Sequence, residues 1–101
     1  MELTRSLFEQ HLNTRIWLCS EDGERVPLEF IQLEDFPSAR TEQFSLLFRG
    51  AGSAVYPQRI YSVEHDVIGR FDLFLVPIGR DSQGTIYQAV FNRFLKVGQQ
   101  A

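Results

Sequence analysis

The sequence has little cysteine, the residue that forms disulfide bonds and many structural metal sites. Cys19 is the single cysteine among 101 residues, so no intrachain disulfide can form and a cysteine-based metal site is excluded. No apolar run approaches the roughly 20 residues that a membrane-spanning helix needs, and the first residues do not resemble a signal peptide. We therefore expect a cytoplasmic protein without membrane contact. Signal-free export, which leaves no mark in a sequence, stays open.

Basic residues are also sparse and scattered. The formal net charge is −3, Lys96 is the single lysine, and the arginines are interspersed with acidic residues. A nucleic-acid binder usually needs a basic stripe that displaces counterions from phosphate, so we expect no nucleic-acid partner. The 44% hydrophobic and 13% aromatic content is typical of a globular protein. Because this length matches one typical domain, we predict a single domain over residues 1–101.

The hydrophobic period changes once along the chain. Residues 4–13 place apolar side chains at helical spacing behind a Thr4 or Ser6 cap, which predicts a short N-terminal helix. Residues 15–92 follow a period of two, and residues 93–101 read as a frayed tail. We predict a mainly β (α+β) fold, in which about six antiparallel strands form a small barrel or curled sheet. The predicted strands are Arg15–Ser20, Arg25–Leu33, Phe44–Arg49, Ile60–Glu64, Phe71–Ile78 and Thr85–Asn92, with exposed loops at 50–53 and 79–84.

One predicted strand is apolar on both faces. Leu73 and Leu75 point one way along it, together with Phe71, while Phe74, Val76 and Ile78 point the other way. Such a strand expects cover on both faces. The second face is covered either inside a barrel or by the helix, or else by another subunit, so self-association is one predicted property.

No combination of residues predicts catalysis or metal binding. In Glu64-His65-Asp66, the imidazole and the two carboxylates alternate across a strand and cannot close on one ion. Cys19 has no neighbouring base that the sequence places, and the glycines at 50 and 52 lack the Lys-Ser/Thr of a phosphate-binding loop. We therefore expect no catalytic, cofactor-binding or metal site, and a protein that is not an enzyme. Trp17, Tyr56, Tyr61 and Tyr87 are candidates for a contact surface or a ligand pocket, and core packing with one polar end reaching solvent explains most tyrosines equally well.

From Phe44 onward the chain resembles a family of small bacterial proteins known as a domain of unknown function. The resemblance rests on the sequence FSLLFRG at 44–50, PQ at 57–58, YxVxH at 61–65, IG at 68–69, FLVPIG at 74–79 and YxAVFN at 87–92. Members of this family are often encoded beside proteins similar to phage tail collar proteins. The resemblance thus implies an accessory part in a tail-like or filament-like assembly, and it implies no cofactor. Arg49, His65 and Asn92 end predicted strands within it, where they tie turns together or share a rim.

These observations favour a non-enzymatic structural or protein-interaction domain. The predicted partners are a second copy of the chain and a phage-tail-collar-like protein. The alternative is a small-ligand-binding β-barrel with Trp17 and one or more tyrosines in its mouth, and an enzyme of unidentified activity comes third. The candidate interaction residues are Trp17, Arg49, Tyr56, His65, Phe74, Val76, Ile78 and Asn92.

Overall fold

The computed structural model describes residues 3–20, 22–36, 41–52 and 54–94, with side chains to residue 92. This part of the chain is mainly β, with six antiparallel strands, so the predicted fold class is confirmed at that level. The elements are α1 (Arg5–Glu9), β1 (Arg15–Cys19), β2 (Arg25–Asp35), β3 (Thr41–Gly50), β4 (Arg59–His65), β5 (Gly69–Asp81) and β6 (Gly84–Phe94). The predicted frayed tail falls mostly on residues 95–101, which lie outside the described part.

The helix is shorter than the predicted span of 4–13. Thr4 caps it, because its hydroxyl accepts a hydrogen bond from the Leu7 backbone N–H at 3.1 Å. The helix ends at Glu9 and residues 10–13 form turns, with Asn13 at a positive φ of 68°. There the Asn13 N–H donates to the carbonyl of Phe30 instead of continuing the helix. Contact with the sheet therefore ends the helix before its apolar pattern does.

The strands pair in a ring. Their order is β1-β2-β3-β6-β5-β4, and pairing of β1 with β4 closes the circuit. Neighbouring strands are antiparallel throughout. Side chains therefore alternate between the interior of the ring and an outer face.

Both central prolines sit where a missing N–H is tolerated. Pro27 lies opposite Trp17 of β1, whereas pairing of β2 with β3 begins only at Glu29. Pro77 pairs with Tyr87 immediately before a register shift that ends at Gly79. Proline cannot donate a hydrogen bond to a neighbouring strand. Pro27 therefore lies where β2 is open on its β3 side, and Pro77 lies at a β-bulge.

The loop predicted at 79–84 is a tighter structure. β5 runs to Asp81 and β6 starts at Gly84, so only Ser82 and Gln83 lie between the strands. Gly84 has a φ of 150°, and a Cβ there would overlap the Gly50 carbonyl oxygen. Glycine is required because the neighbouring backbone leaves no room for a side chain.

The interior of the ring is filled by side chains from all six strands. Fourteen described hydrophobic residues are buried, among them Phe44, Leu46 and Phe48 of β3. At one end of the ring Phe8 of α1 enters the core, where its ring contacts Phe30, Phe44, Phe71 and Phe91 with centroid distances of 5.3–6.4 Å. Pairing of β5 with β6 reaches only as far as Val76 and Gln88. Phe8 packs between Phe71 and Phe91, beyond the point where these two strands part.

Within the described residues, no helix has the length and hydropathy that crossing a membrane requires.

Candidate functional site

The outer surface carries a concentration of exposed hydrophobic side chains on β4, β5 and β6. Ile60 is 64% exposed, Phe74 50%, Ile78 51% and Val90 68%. Val76, between Phe74 and Ile78 on β5, is partly exposed. We call these five residues the apolar outer face. Scattered exposed hydrophobic residues are ordinary, but several on adjoining strands are a feature of contact surfaces.

The register explains why these side chains share a surface. Ile60 and Phe74 are directly opposite on β4 and β5, and Val76 is opposite Gln88 on β6. Val90 is two residues beyond Gln88 and therefore points to the same side. Leu73 and Leu75, the residues on either side of Phe74 in β5, point into the core with at most 3% exposure. The strand is thus apolar on both faces, and the residues that the structure describes leave one of them largely open.

A cleft lies on the other side of Ile60 from Phe74. It has a volume of about 240 Å³ and is lined by Leu18, Cys19, Ser20, Val26, Tyr56, Arg59, Ile60, Tyr61 and Ser62. β1 ends at Cys19 opposite Ser62, so residues 59–61 of β4 have no β1 partner. The segment around Tyr56 borders the resulting gap, held by a hydrogen bond from its N–H to the Tyr87 hydroxyl at 3.0 Å. We call this gap the tyrosine cleft.

Trp17 lies on the outside of β1 among charged side chains. The guanidinium carbons of Arg25 and Arg15 lie 4.7 and 5.6 Å from its ring centroid. Glu64, opposite Trp17 on β4, forms ion pairs with Arg25 and Arg70, each at 2.9 Å. The hydrogen bond from Arg70, reinforced by the charge of Arg25, lowers the pKa of Glu64. Trp17 therefore belongs to a polar surface separate from the apolar outer face.

His65 is buried and holds the β4–β5 turn. Its Nδ1 accepts hydrogen bonds from the backbone N–H groups of Val67 and Ile68 at 3.0 and 3.1 Å. Its Nε2 lies 2.8 Å from the Thr14 hydroxyl, which in turn donates to the His11 carbonyl. With two donors on Nδ1, the ring must be neutral and carry its proton on Nε2. Burial, together with the nearby His11, lowers the pKa of His65.

Arg49 and Asn92 lie on the outer side of the ring, away from His65. Arg49 binds Asp81 through Nη2 at 2.6 Å and Nε at 3.1 Å. That hydrogen bond lowers the pKa of Asp81, whose other oxygen accepts the N–H of Gln83 in the tight turn. Asn92 is exposed opposite Gln43. The three polar residues that end predicted strands therefore do not form one rim.

The structure groups three of the candidate residues and separates the others. Phe74, Val76 and Ile78 lie together, and Tyr56 lines the neighbouring cleft. Ile60 and Val90 belong to the same face but were missed by reasoning from sequence. The signal for Val90 was present, because an apolar residue interrupts the alternation of Tyr87, Ala89 and Phe91. Ile60 could be assigned only once the strand register was known.

A second cleft bears on the ligand-binding alternative. It measures about 410 Å³, within the range of small-molecule sites, and is lined by Asn13, Thr14, Arg15, Pro27, Leu28, Glu29, Arg49, Ala51 and Gln83. Neither Trp17 nor a tyrosine contributes to it, so it is not the predicted aromatic mouth. Within the described residues, no group of three or more His, Cys, Asp or Glu side chains could hold a metal ion.

Comparison with known proteins identifies the chain at the level of a family. No curated protein and no solved structure matches it. A family model does match, over residues 3–91, which is most of the chain and includes α1, β1 to β5 and most of β6. The chain therefore belongs to the family described as Domain of unknown function (DUF6916).

Proposed function

We propose that this domain is a non-enzymatic interaction module that binds another protein through the apolar outer face. The observation that carries the proposal is the group of half- to two-thirds-exposed hydrophobic side chains on adjoining strands β4, β5 and β6. Burying such side chains is worth about 25 cal/mol per Å² of apolar area removed from water. Leaving Phe74 and its neighbours in water forgoes that stabilisation, which a bound partner recovers.

The scaffold suits this role. We describe the closed ring as a small barrel, in which hydrogen bonds around the circuit and a phenylalanine-rich interior hold the outer side chains in fixed positions. A rigid surface loses little conformational entropy when a partner docks, which favours affinity. Phe74 and Val76 lie where β5 passes from pairing with β4 to pairing with β6. The apolar outer face therefore spans both pairings, with Phe74 held by β4 and Val76 held by β6.

The titratable groups support a binding role over a catalytic one. Both nitrogens of His65 are engaged in hydrogen bonds within the fold, so the ring cannot take a substrate proton without releasing the turn. Glu64 and Asp81 are held as carboxylates by arginines, which lower their pKa values. These three groups are committed to structure, which supports side-chain contact as the role of the surface.

The family resemblance supplies the kind of partner. Because the resemblance implies a place beside phage-tail-collar-like proteins, we propose a collar-like protein as the partner and an accessory part in a tail-like or filament-like assembly as the role. The test is direct binding between this domain and a purified collar-like protein from the same source, measured by isothermal calorimetry. We expect Phe74→Asp to weaken binding at least 30-fold, the factor that corresponds to about 2 kcal/mol at an interface hot spot.

The matched control is Val67→Asp. Val67 is 66% exposed, but it lies in the β4–β5 turn, away from the apolar outer face. This variant introduces the same charge and should bind as the unmodified domain does. Equal binding by the Phe74 and Val67 variants would contradict the proposed surface, and no binding by the unmodified domain would remove the collar-like partner.

A further inference from the structure

We propose that the apolar outer face binds a second copy of this chain about a two-fold axis near Ile60, so that Phe74 of each copy enters the tyrosine cleft of the other. This inference rests on the proposed function, because it names what covers the same surface until the collar-like partner displaces it. It goes further because it assigns to one face of the chain both a projecting side chain, Phe74, and the cavity that receives it, the tyrosine cleft.

The geometry places the projection and the cavity on opposite sides of Ile60. Phe74 is its direct partner across the β4–β5 pairing, so their Cβ atoms lie about 5 Å apart. The tyrosine cleft opens on the β1 side of the same residue and includes Ile60 in its lining. A two-fold rotation about an axis that runs along β4 through Ile60 turns the two faces towards each other and exchanges the two sides. It therefore brings each Phe74 over the partner's cleft, which is the self-complementary arrangement that an isologous dimer requires.

The cleft has the size and the lining for one aromatic side chain. An apolar cavity of about 150 Å³ is enough to hold benzene, and the tyrosine cleft measures about 240 Å³. It is smaller than the roughly 300 Å³ at which small-molecule sites begin. Leu18, Val26 and Tyr61 contribute apolar surface to it, and Ile60 forms its edge. Aromatic side chains that fill such pockets are the usual anchors of protein interfaces.

The exposed area is close to what a dimer of ordinary size needs. A standard interface buries roughly 800 Å² on each partner, of which about 65% is apolar in homodimers. Large apolar side chains bury on the order of 150–200 Å² each, and four members of the face are 50–68% exposed. They supply roughly 350–450 Å², and the cleft lining supplies more. The net charge of −3 gives only weak repulsion between copies.

The single cysteine makes this arrangement directly testable. Cys19 lines the tyrosine cleft, so under mild oxidation a Phe74→Cys variant should form a disulfide between its introduced thiol on one copy and Cys19 of the other. Within one chain β4 separates the two positions, and Cys19 is level with Asp72, two residues from Phe74, which puts residues 19 and 74 about 12 Å apart. This exceeds the roughly 7 Å limit between the Cα atoms of a disulfide. A covalent dimer on a non-reducing gel, with the 19–74 linkage identified by mass spectrometry, is the expected result.

Two controls separate the proposed geometry from chance collision. Val67→Cys exposes a thiol in the β4–β5 turn and should give little dimer under the same conditions. Phe74→Cys combined with Cys19→Ser should also remain monomeric, because the axis at Ile60 keeps the two copies of residue 74 apart. Efficient cross-linking in this second control would overturn the two-fold arrangement.

Light scattering on the domain without added cysteines completes the test. We expect a concentration-dependent dimer, and we expect Phe74→Asp to raise its dissociation constant at least 30-fold. A monomer at every concentration, with no 19–74 linkage, would overturn the second copy as occupant. If Phe74→Asp still abolished binding to the collar-like protein in that case, the proposed function would stand while this inference failed.

Discussion

Acid should destabilise this domain through His65 as the pH falls below about 6.5, the ordinary pKa of histidine. The ring is neutral in the fold because its Nδ1 accepts the N–H groups of Val67 and Ile68. Protonation turns that acceptor into a donor and leaves both N–H groups without a partner. Each unsatisfied buried group costs about 1–3 kcal/mol, so adding a proton to the folded protein costs roughly 2 kcal/mol or more.

The sign and the size of the effect follow from linkage. Burial and the nearby His11 lower the pKa of His65 from its ordinary value of 6.5, although the charge of Asp66 acts in the opposite direction. The unfolded chain therefore binds the proton more readily, and stability rises with pH. The full contribution is present above pH 6.5 and is lost as the pH falls from there towards the folded-state pKa. Because a single group titrates, the loss of unfolding free energy can be at most about 1.4 kcal/mol by about pH 5.5. The cost of protonating the folded protein is large enough for the loss to approach that maximum.

Urea unfolding followed by Trp17 fluorescence at about pH 8.0, 6.5 and 5.5, which bracket the ordinary pKa of histidine, measures this loss. The diagnostic variant is His65→Asn, whose amide oxygen can occupy the Nδ1 position and accept the same N–H groups but cannot be protonated. It should be less stable at the highest pH because it loses the Thr14 contact, yet its stability should change little with pH. His11→Gln should retain most of the slope. A flat profile for the unmodified domain, or an equal slope for His65→Asn, would refute the reasoning.

Three further predictions concern stability and are checked by the same urea unfolding at the highest pH. Phe48→Ala should cost about 3–5 kcal/mol, because the side chain is 1% exposed within the ring; a loss below about 1 kcal/mol would mean that this face is not core. Gly84→Ala should cost about 1–3 kcal/mol or more, because its Cβ would overlap the Gly50 carbonyl; a neutral result would show that the turn can shift. Arg49→Ala should cost less than about 1 kcal/mol despite its 2.6 Å contact with Asp81, because the pair is partly solvated; a loss above about 2 kcal/mol would show a stronger coupling.

Local sequence pattern predicted the strands because side-chain alternation is a local property. The inward positions of Phe44, Leu46 and Phe48 follow from a period of two, and all three are buried. The apolar residues on both faces of β5 were also visible in the sequence. The apolar pattern predicted too long a helix, because helical spacing of apolar residues continues past Glu9, where the helix ends. The backbone instead turns, and the Asn13 N–H donates to the Phe30 carbonyl.

Contacts between distant residues could not be predicted in this way. The bond between Thr14 and His65 joins residues 51 positions apart, and it depends on β1 pairing with β4. Closure of the ring depends on how all six strands pair with one another. No short segment of the sequence carries that information. The tyrosine cleft likewise exists because β1 ends at Cys19, which leaves the first residues of β4 without a partner on that side.

Ring closure also restricts how this domain can meet a partner. A sheet with free edges can recruit another chain by strand addition, but every strand here pairs with two neighbours, so none is a free edge along its whole length. In the described residues, β2 is open beside Pro27, which has no N–H to donate, and the space where β5 parts from β6 is occupied by Phe8. Strand addition is blocked at these two places and restricted to short unpaired stretches such as residues 59–61 of β4, which favours recognition through outward-pointing side chains. Among the described residues, exposed apolar side chains adjoin one another on β4, β5 and β6, so the topology agrees with the apolar outer face as the contact surface.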